Sequence, residues 1–145
     1  MSNNKREDIT ENLKDIFQKV IGTIDYTDNY KELDRTENRT MAMLSYLIPP
    51  IPFIVERNSA YVRFHSNQGM NALVWYILIS LFIWVVSTGF PNLASLTGSL
   101  RIIINIIYIS LAAFGVMNTI KNKARELPIT SRLNIVTIIS DFFGK

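Results

Sequence analysis

The sequence predicts an all-α membrane protein: two transmembrane helices, a short proline-broken or re-entrant segment, and amphipathic helices at the N- and C-termini. Three observations lead there. Residues Ser66 to Leu100 run 35 positions without a charged side chain, and after Arg101 another 19 follow, Ile102 to Ile120. A third apolar stretch, Met41 to Val55, is only 15 residues long and contains Pro49, Pro50 and Pro52. A bilayer's hydrocarbon core needs roughly 20 mostly apolar residues per helical crossing, so each long run holds one span and the third is too short for a straight one. Gly89-Phe90-Pro91 supplies the turn between the spans.

Charge is divided unevenly along the chain. Residues 1 to 40 carry seven Lys/Arg and nine Asp/Glu, whereas the remainder carries eight Lys/Arg against Glu56, Glu126 and Asp141. The basic excess behind the net charge of +3 therefore flanks the apolar segments, which suits anionic lipid headgroups. No dense basic face with interleaved aromatics is present, so nucleic acid is not an expected partner. The absence of cysteine excludes disulfides and thiolate chemistry. Residues 1 to 30 show no apolar run followed by a small-residue cleavage site, so the first long span is expected to act as the insertion signal.

Three domains are expected: a cytoplasmic amphipathic helix and linker (1–40), a membrane domain (41–130) and a C-terminal interfacial helix (131–145). In the first, Ile9, Leu13, Ile16, Phe17, Val20, Ile21 and Ile24 recur at spacings of three and four, with charges between them. This predicts an amphipathic helix over about 7–24, with Leu13, Ile16, Phe17 and Val20 as candidate partner-binding residues. The same stripe also suits a helix packed on its own protein or lying on the membrane surface. Residues 25 to 40 are charged and weakly periodic, and read as a solvated linker.

In Met41–Val55 each proline lacks an N–H and crowds the carbonyl four residues earlier. The carbonyls of Ser45, Tyr46 and Ile48 therefore lose helical partners that lipid cannot replace. Either a short kinked span or a re-entrant hairpin results. With a re-entrant segment, both termini and the 56–69 loop share one side, and Lys/Arg divide 14 against one; with three spans they divide eight against seven. Cytoplasmic flanks collect Lys and Arg, so the re-entrant form is favoured, in the plasma membrane with both termini cytoplasmic.

Asn58-Ser59 offers an N-cap for a helix from Ala60 to about Ser87. The second span, Ile102–Ile120, ends at Lys121-Asn122-Lys123, and Ser110, Ala113 and Gly115 give it a small surface for close helix approach. After Pro128, Thr130 or Ser131 can cap a last helix of some 14 residues that suits the interface better than a span.

The polar motif at the mouth of the first span is Tyr61-Val62-Arg63-Phe64-His65-Ser66-Asn67-Gln68-Gly69. On a helix Arg63 and Asn67 lie at i, i+4 and His65 and Gln68 at i, i+3, forming two donor-rich stripes. Arg, Asn, Gln and a His N–H are suitable donors for the carbonyls freed by Pro49 and Pro50. The candidate site is therefore a structural clamp of Arg63, His65, Asn67, Gln68, Gly69, Pro49 and Pro50; the alternatives are that Arg63, His65 and Tyr61 anchor the helix at the headgroups, or that the motif forms a ligand or ion site.

Leu44-Ser45-Tyr46, the Arg-Phe-His-x-x-Gln-Gly core and Glu126-Leu127-Pro128-Ile129 together resemble a group of small prokaryotic membrane proteins of the Tic-twenty-like type. That group is related to the chloroplast inner-envelope import component and to certain magnetosome membrane proteins. The resemblance covers about residues 41–130 and implies a helical membrane fold rather than an activity.

Catalysis has little to build on. One His and no Cys cannot form a metal site of the usual kind, and no carboxylate lies within either span. No catalytic, cofactor-binding or metal residue is expected, and no cofactor. The expected function is a non-enzymatic membrane scaffold or accessory subunit, with the lipid bilayer and a protein partner or homo-oligomer as its contacts. The alternative is an oligomeric channel or protein-translocation component lined by re-entrant segments.

Overall fold

The computed structural model describes residues 23–56 and 58–128. Among the described residues five α-helices occur in chain order: α1 (Glu32–Glu37), α2 (Arg39–Leu47), α3 (Pro50–Val55), α4 (Ala60–Gly89) and α5 (Ala94–Ile120). Among the described residues there is no strand, only an isolated antiparallel bridge between Asp25 and Arg125. The predicted N-terminal helix and its Leu13, Ile16, Phe17 and Val20, and the C-terminal helix, lie outside the described residues.

Two helices are long and apolar enough to cross a membrane, and they form an antiparallel hairpin. Ser59 starts α4 by accepting the Val62 N–H at 3.0 Å, satisfying one of the donors a helix start leaves open. The helix ends at Gly89, followed by a short 3-10 turn over Pro91–Leu93, where the proline's missing N–H costs nothing. The second long helix begins earlier than the charge pattern suggests. Arg101 lies inside α5 rather than before it, at an exposed position, because Ala94 to Leu100 contain no proline, the helix runs through Gly98, and Thr97 and Ser99 bond back to the preceding turn.

The register of the hairpin is set by Tyr76. Its ring stacks on Tyr108 at 4.6 Å and its hydroxyl donates to Asn105 Oδ1 at 2.9 Å. Counting outward from that pair puts Arg63 of α4 level with Lys121 of α5. From Arg101 to Lys121, α5 rises about 30 Å at 1.5 Å per residue, matching a hydrocarbon core.

The proline segment divides at Ile48-Pro49 into α2 and α3, neither long enough to span. Pro49 and Pro50 stand at the N-cap and first turn of α3, where the ring is tolerated, and the Ile51 N–H takes the Ile48 carbonyl at 3.1 Å. Its path follows from its partners on α4. Asp34 meets Ser59 and Tyr61, Ala42 packs with Tyr61 and Val62, Ser45 meets Ser66, and Pro49 reaches Gly69. The chain thus descends beside α4, and α3 returns to Glu56, just before the Ser59 cap.

Residues 25–40, expected as a solvated linker, are seated on this bundle. Tyr26 N–H donates to the Ala124 carbonyl at 2.8 Å, and Glu126 N–H donates to that of Ile24 at 3.0 Å. Ala124 N–H donates to Thr27 Oγ1, and Arg35 donates to the Asn122 carbonyl. Buried side chains concentrate where these segments meet the start of α4 and the end of α5. Toward the turn, α4 and α5 expose Ile77, Leu81, Phe82, Ile102, Ile106 and Ile109, as lipid-facing surfaces do.

Candidate functional site

The polar residues are collected into one junction at the open end of the hairpin. Tyr46 of α2 is its crossing point. Its hydroxyl pairs with His65 Nδ1 of α4 at 2.7 Å, and its ring lies on the Cα of Gly115 in α5, where a Cβ would collide with it. At the adjacent positions, Ser45 Oγ and Ser66 Oγ are 2.8 Å apart.

His65 is wholly buried among Tyr46, Tyr61 and Phe64, all meeting it edge-on with ring centroids 4.6 to 5.6 Å away. Its Nε2 faces the Lys123 carbonyl without closing a regular hydrogen bond, and the Tyr61 hydroxyl approaches the same carbonyl at 3.5 Å. A carbonyl neighbour suits the tautomer with the proton on Nε2, which leaves Nδ1 to accept from Tyr46.

Gln68 and Gly69 act on different partners. Gln68 Oε1 accepts the Leu127 N–H at 2.6 Å, holding the buried Leu127 against the bundle. Gly69 lets α2 approach: a Cβ there would overlap the Ser45 carbonyl oxygen, lie 2.9 Å from its carbon and 3.4 Å from Pro49 Cβ. The Ser45 carbonyl, whose helical donor Pro49 cannot supply, is thereby laid against the glycine. Pairing therefore differs in detail from the expected donation of His65 and Gln68 to freed carbonyls. Gln68 is an acceptor for the C-terminal segment, and His65 binds a tyrosine hydroxyl. Of the remaining motif residues, Arg63 is exposed, Asn67 is half-buried, Pro49 is buried and Pro50 is exposed.

At the membrane-surface side the junction closes on Asp34. Its Oδ1 accepts from the Ser59 hydroxyl at 2.6 Å and from Asn38 Nδ2 at 2.7 Å, and its Oδ2 accepts the Tyr61 N–H at 3.2 Å. Burial pushes this carboxyl up, but the hydrogen bonds from Ser59, Tyr61 and Asn38, with the charge of Lys31, outweigh it and hold Asp34 below the usual carboxylate value. Its place at the start of α4 also matches the positive end of that helix.

Asp34, Tyr46 and Leu127 were not legible as site residues. Asp34 sits in a charged run that looks solvated, Tyr46 stands out only for its carbonyl and not for its hydroxyl or ring, and Leu127 appears only within a quoted stretch. Among the described residues no group of three or more His, Cys, Asp or Glu could hold a metal ion. What the arrangement does chemically is join: it ties α1, α2, α4, α5 and the segment after α5 through buried side chains and hydrogen bonds.

Fold and junction define a small α-helical membrane protein, a two-helix hairpin with a broken helix packed at its open end. Residues 37–134, more than half of the chain, match the family model of the magnetosome magnetite crystal formation proteins, MamF/MmsF. The chain belongs to that family. This corrects the Tic-twenty-like assignment: the residues thought to carry that resemblance fall inside the magnetosome family's match, from α1 through the Leu127 segment. No curated protein matches the chain, and no solved structure does.

Proposed function

We propose that this chain is a non-enzymatic accessory protein of the membrane that organises a protein partner at the cytoplasmic face. In cells that build magnetosomes it would act in crystal formation by that route. One observation carries the reading: residues 24–26 pair with 124–126, so the described chain begins and ends at the same side of the hairpin. The chain positions that precede and follow these residues, among them the predicted Leu13, Ile16, Phe17 and Val20 stripe, are therefore joined to the same end of the hairpin in sequence. The charge division of 14 against one supports a cytoplasmic base, with a plasma-membrane setting for the two spans. On the opposite side the turn and the start of α5, Gly89 to Leu100, carry no carboxylate, which favours action through the membrane and its proteins over direct contact with mineral.

The test uses the full chain. Photocrosslinkers at Leu13 and Phe17 should recover a protein partner from native membranes, and Leu13→Asp with Phe17→Asp should abolish that recovery while the membrane domain stays inserted. Reconstituted in phosphatidylcholine–phosphatidylglycerol vesicles, the protein should leave ion flux at the protein-free level. Flux that grows with protein content would overturn this reading in favour of an oligomeric channel.

A further inference from the structure

We propose that the α2–α3 hairpin is a one-leaflet wedge, so that the protein prefers, and stabilises, membrane that is convex toward the junction. The ligand is the acyl region of the leaflet on that side. The inference rests on the membrane-spanning assignment of α4 and α5 and is independent of partner recruitment.

Depth comes first. Arg63 and Lys121 lie at one level on the two long helices, about 30 Å from the level of Arg101. The bend of the α2–α3 path, at Ile48-Pro49, meets α4 where Pro49 approaches Gly69. Gly69 is six residues beyond Arg63, hence about 9 Å below it along α4. That is less than half of a hydrocarbon core of roughly 30 Å. The hairpin thus reaches into one leaflet and stops short of the midplane.

Surface chemistry agrees with that depth. One flank of α2–α3 is buried on α4 through Ser45, Pro49 and Pro52. The other is a run of exposed apolar side chains: Leu47 is 66% exposed, Ile48 49%, Phe53 42%, Ile54 59% and Val55 61%. A patch of this kind left in water would be an association hazard, whereas acyl chains cover it without loss. Charged residues bracket the run, Arg39 at the start of α2 and Glu56 after α3, as expected where a segment enters and leaves at headgroup level.

Cross-section follows from depth. Among the described residues, four helical segments displace lipid on the junction side, α2, α3, α4 and α5, whereas beyond it α4 and α5 alone do. Insertion confined to the upper part of one leaflet expands that leaflet alone, and binding of such elements is sensitive to curvature.

The experiment measures sorting. Full-length protein carrying Asn58→Cys is placed in giant phosphatidylcholine–phosphatidylglycerol vesicles and labelled from outside with an impermeant dye. Only molecules with the junction outward are then seen. Narrow tubes pulled from these vesicles should concentrate the labelled protein on the order of twofold over the flat membrane. The variant Phe53→Ser, Ile54→Ser, Val55→Ser, altered only at exposed positions, should distribute evenly. Equal distribution of the parent protein overturns the wedge. Depth gives a second readout: a fluorophore on Ile54→Cys should be quenched by lipids brominated near the headgroup end of their chains. If that probe escapes quenching, or if Ile54→Cys crosslinks between copies instead, the flank is covered by something other than lipid and the wedge is wrong.

Discussion

Gln68 Oε1 and the Leu127 N–H meet at 2.6 Å across 59 positions of sequence, joining the first span to the segment that follows the second. Both are buried, so nothing from the solvent replaces either partner. Closure of the hairpin at this end depends on a side chain from its first helix, which gives the bond more influence than its own energy implies.

Replacing Gln68 by Leu removes the acceptor and leaves the Leu127 N–H without a partner. The expected loss is about 1–3 kcal/mol, the usual cost of an orphaned buried polar group, read by unfolding in mild detergent. An unchanged midpoint would show that the Leu127 segment is not held by this contact.

Glycine positions should separate sharply. Gly69→Ala drives a methyl into the Ser45 carbonyl, which belongs to backbone and cannot swing away, and should cost about 1–3 kcal/mol. Gly89→Ala and Gly98→Ala meet nothing within 4 Å. Within helices such changes stabilise by roughly 0.5–1 kcal/mol, so equal effects at all three sites would contradict the described packing.

Acid should loosen the junction through Asp34. Its folded-state pKa lies below the unfolded value, so its contribution is complete above the ordinary carboxylate pKa, about 3.9, and is lost as pH falls through the lower folded value. Asp25, lowered chiefly by the Thr27 hydroxyl, adds in the same direction. Asp34→Asn should therefore be less stable than the parent at neutral pH and show a shallower decline in Tm toward pH 3. An unaltered acid slope would assign the decline to other carboxylates.

Topology is open to single cysteines, since none is native. Ser95→Cys should react with an impermeant thiol reagent from outside intact cells, and Asn58→Cys only after permeabilisation. Labelling of Asn58→Cys from outside would reverse the cytoplasmic placement of the junction.

What the sequence reveals here is what leaves a local trace. Uncharged runs mark the spans, Gly89-Phe90-Pro91 marks the turn, and Ser59 is recognisable as a cap because capping is a property of adjacent residues. His65, Gln68 and Gly69 stand out as polar or small residues entering an apolar helix, yet their partners Tyr46, Leu127 and Ser45 lie far along the chain, and no periodicity connects them. The same limit explains residues 25–40. A charged stretch with weak periodicity looks solvated unless one knows that 124–126 offers it a bridging partner and Ser59 a hydroxyl. Arg101 misleads in the opposite direction, because a long side chain on the outer face of a helix can carry its charge away from the apolar body.

The bond between Gln68 and Leu127 also fixes an order of events during biosynthesis. At roughly 5–20 residues per second, the ribosome delivers Leu127 about 3–12 s after Gln68. Throughout that interval the first helix holds its glutamine without its final partner, and for most of it Tyr46 also lacks the surface of Gly115. A nascent chain halted after Gln68 but before position 127 therefore presents an open polar notch to the insertion machinery, and only the segment that follows the second helix seals it.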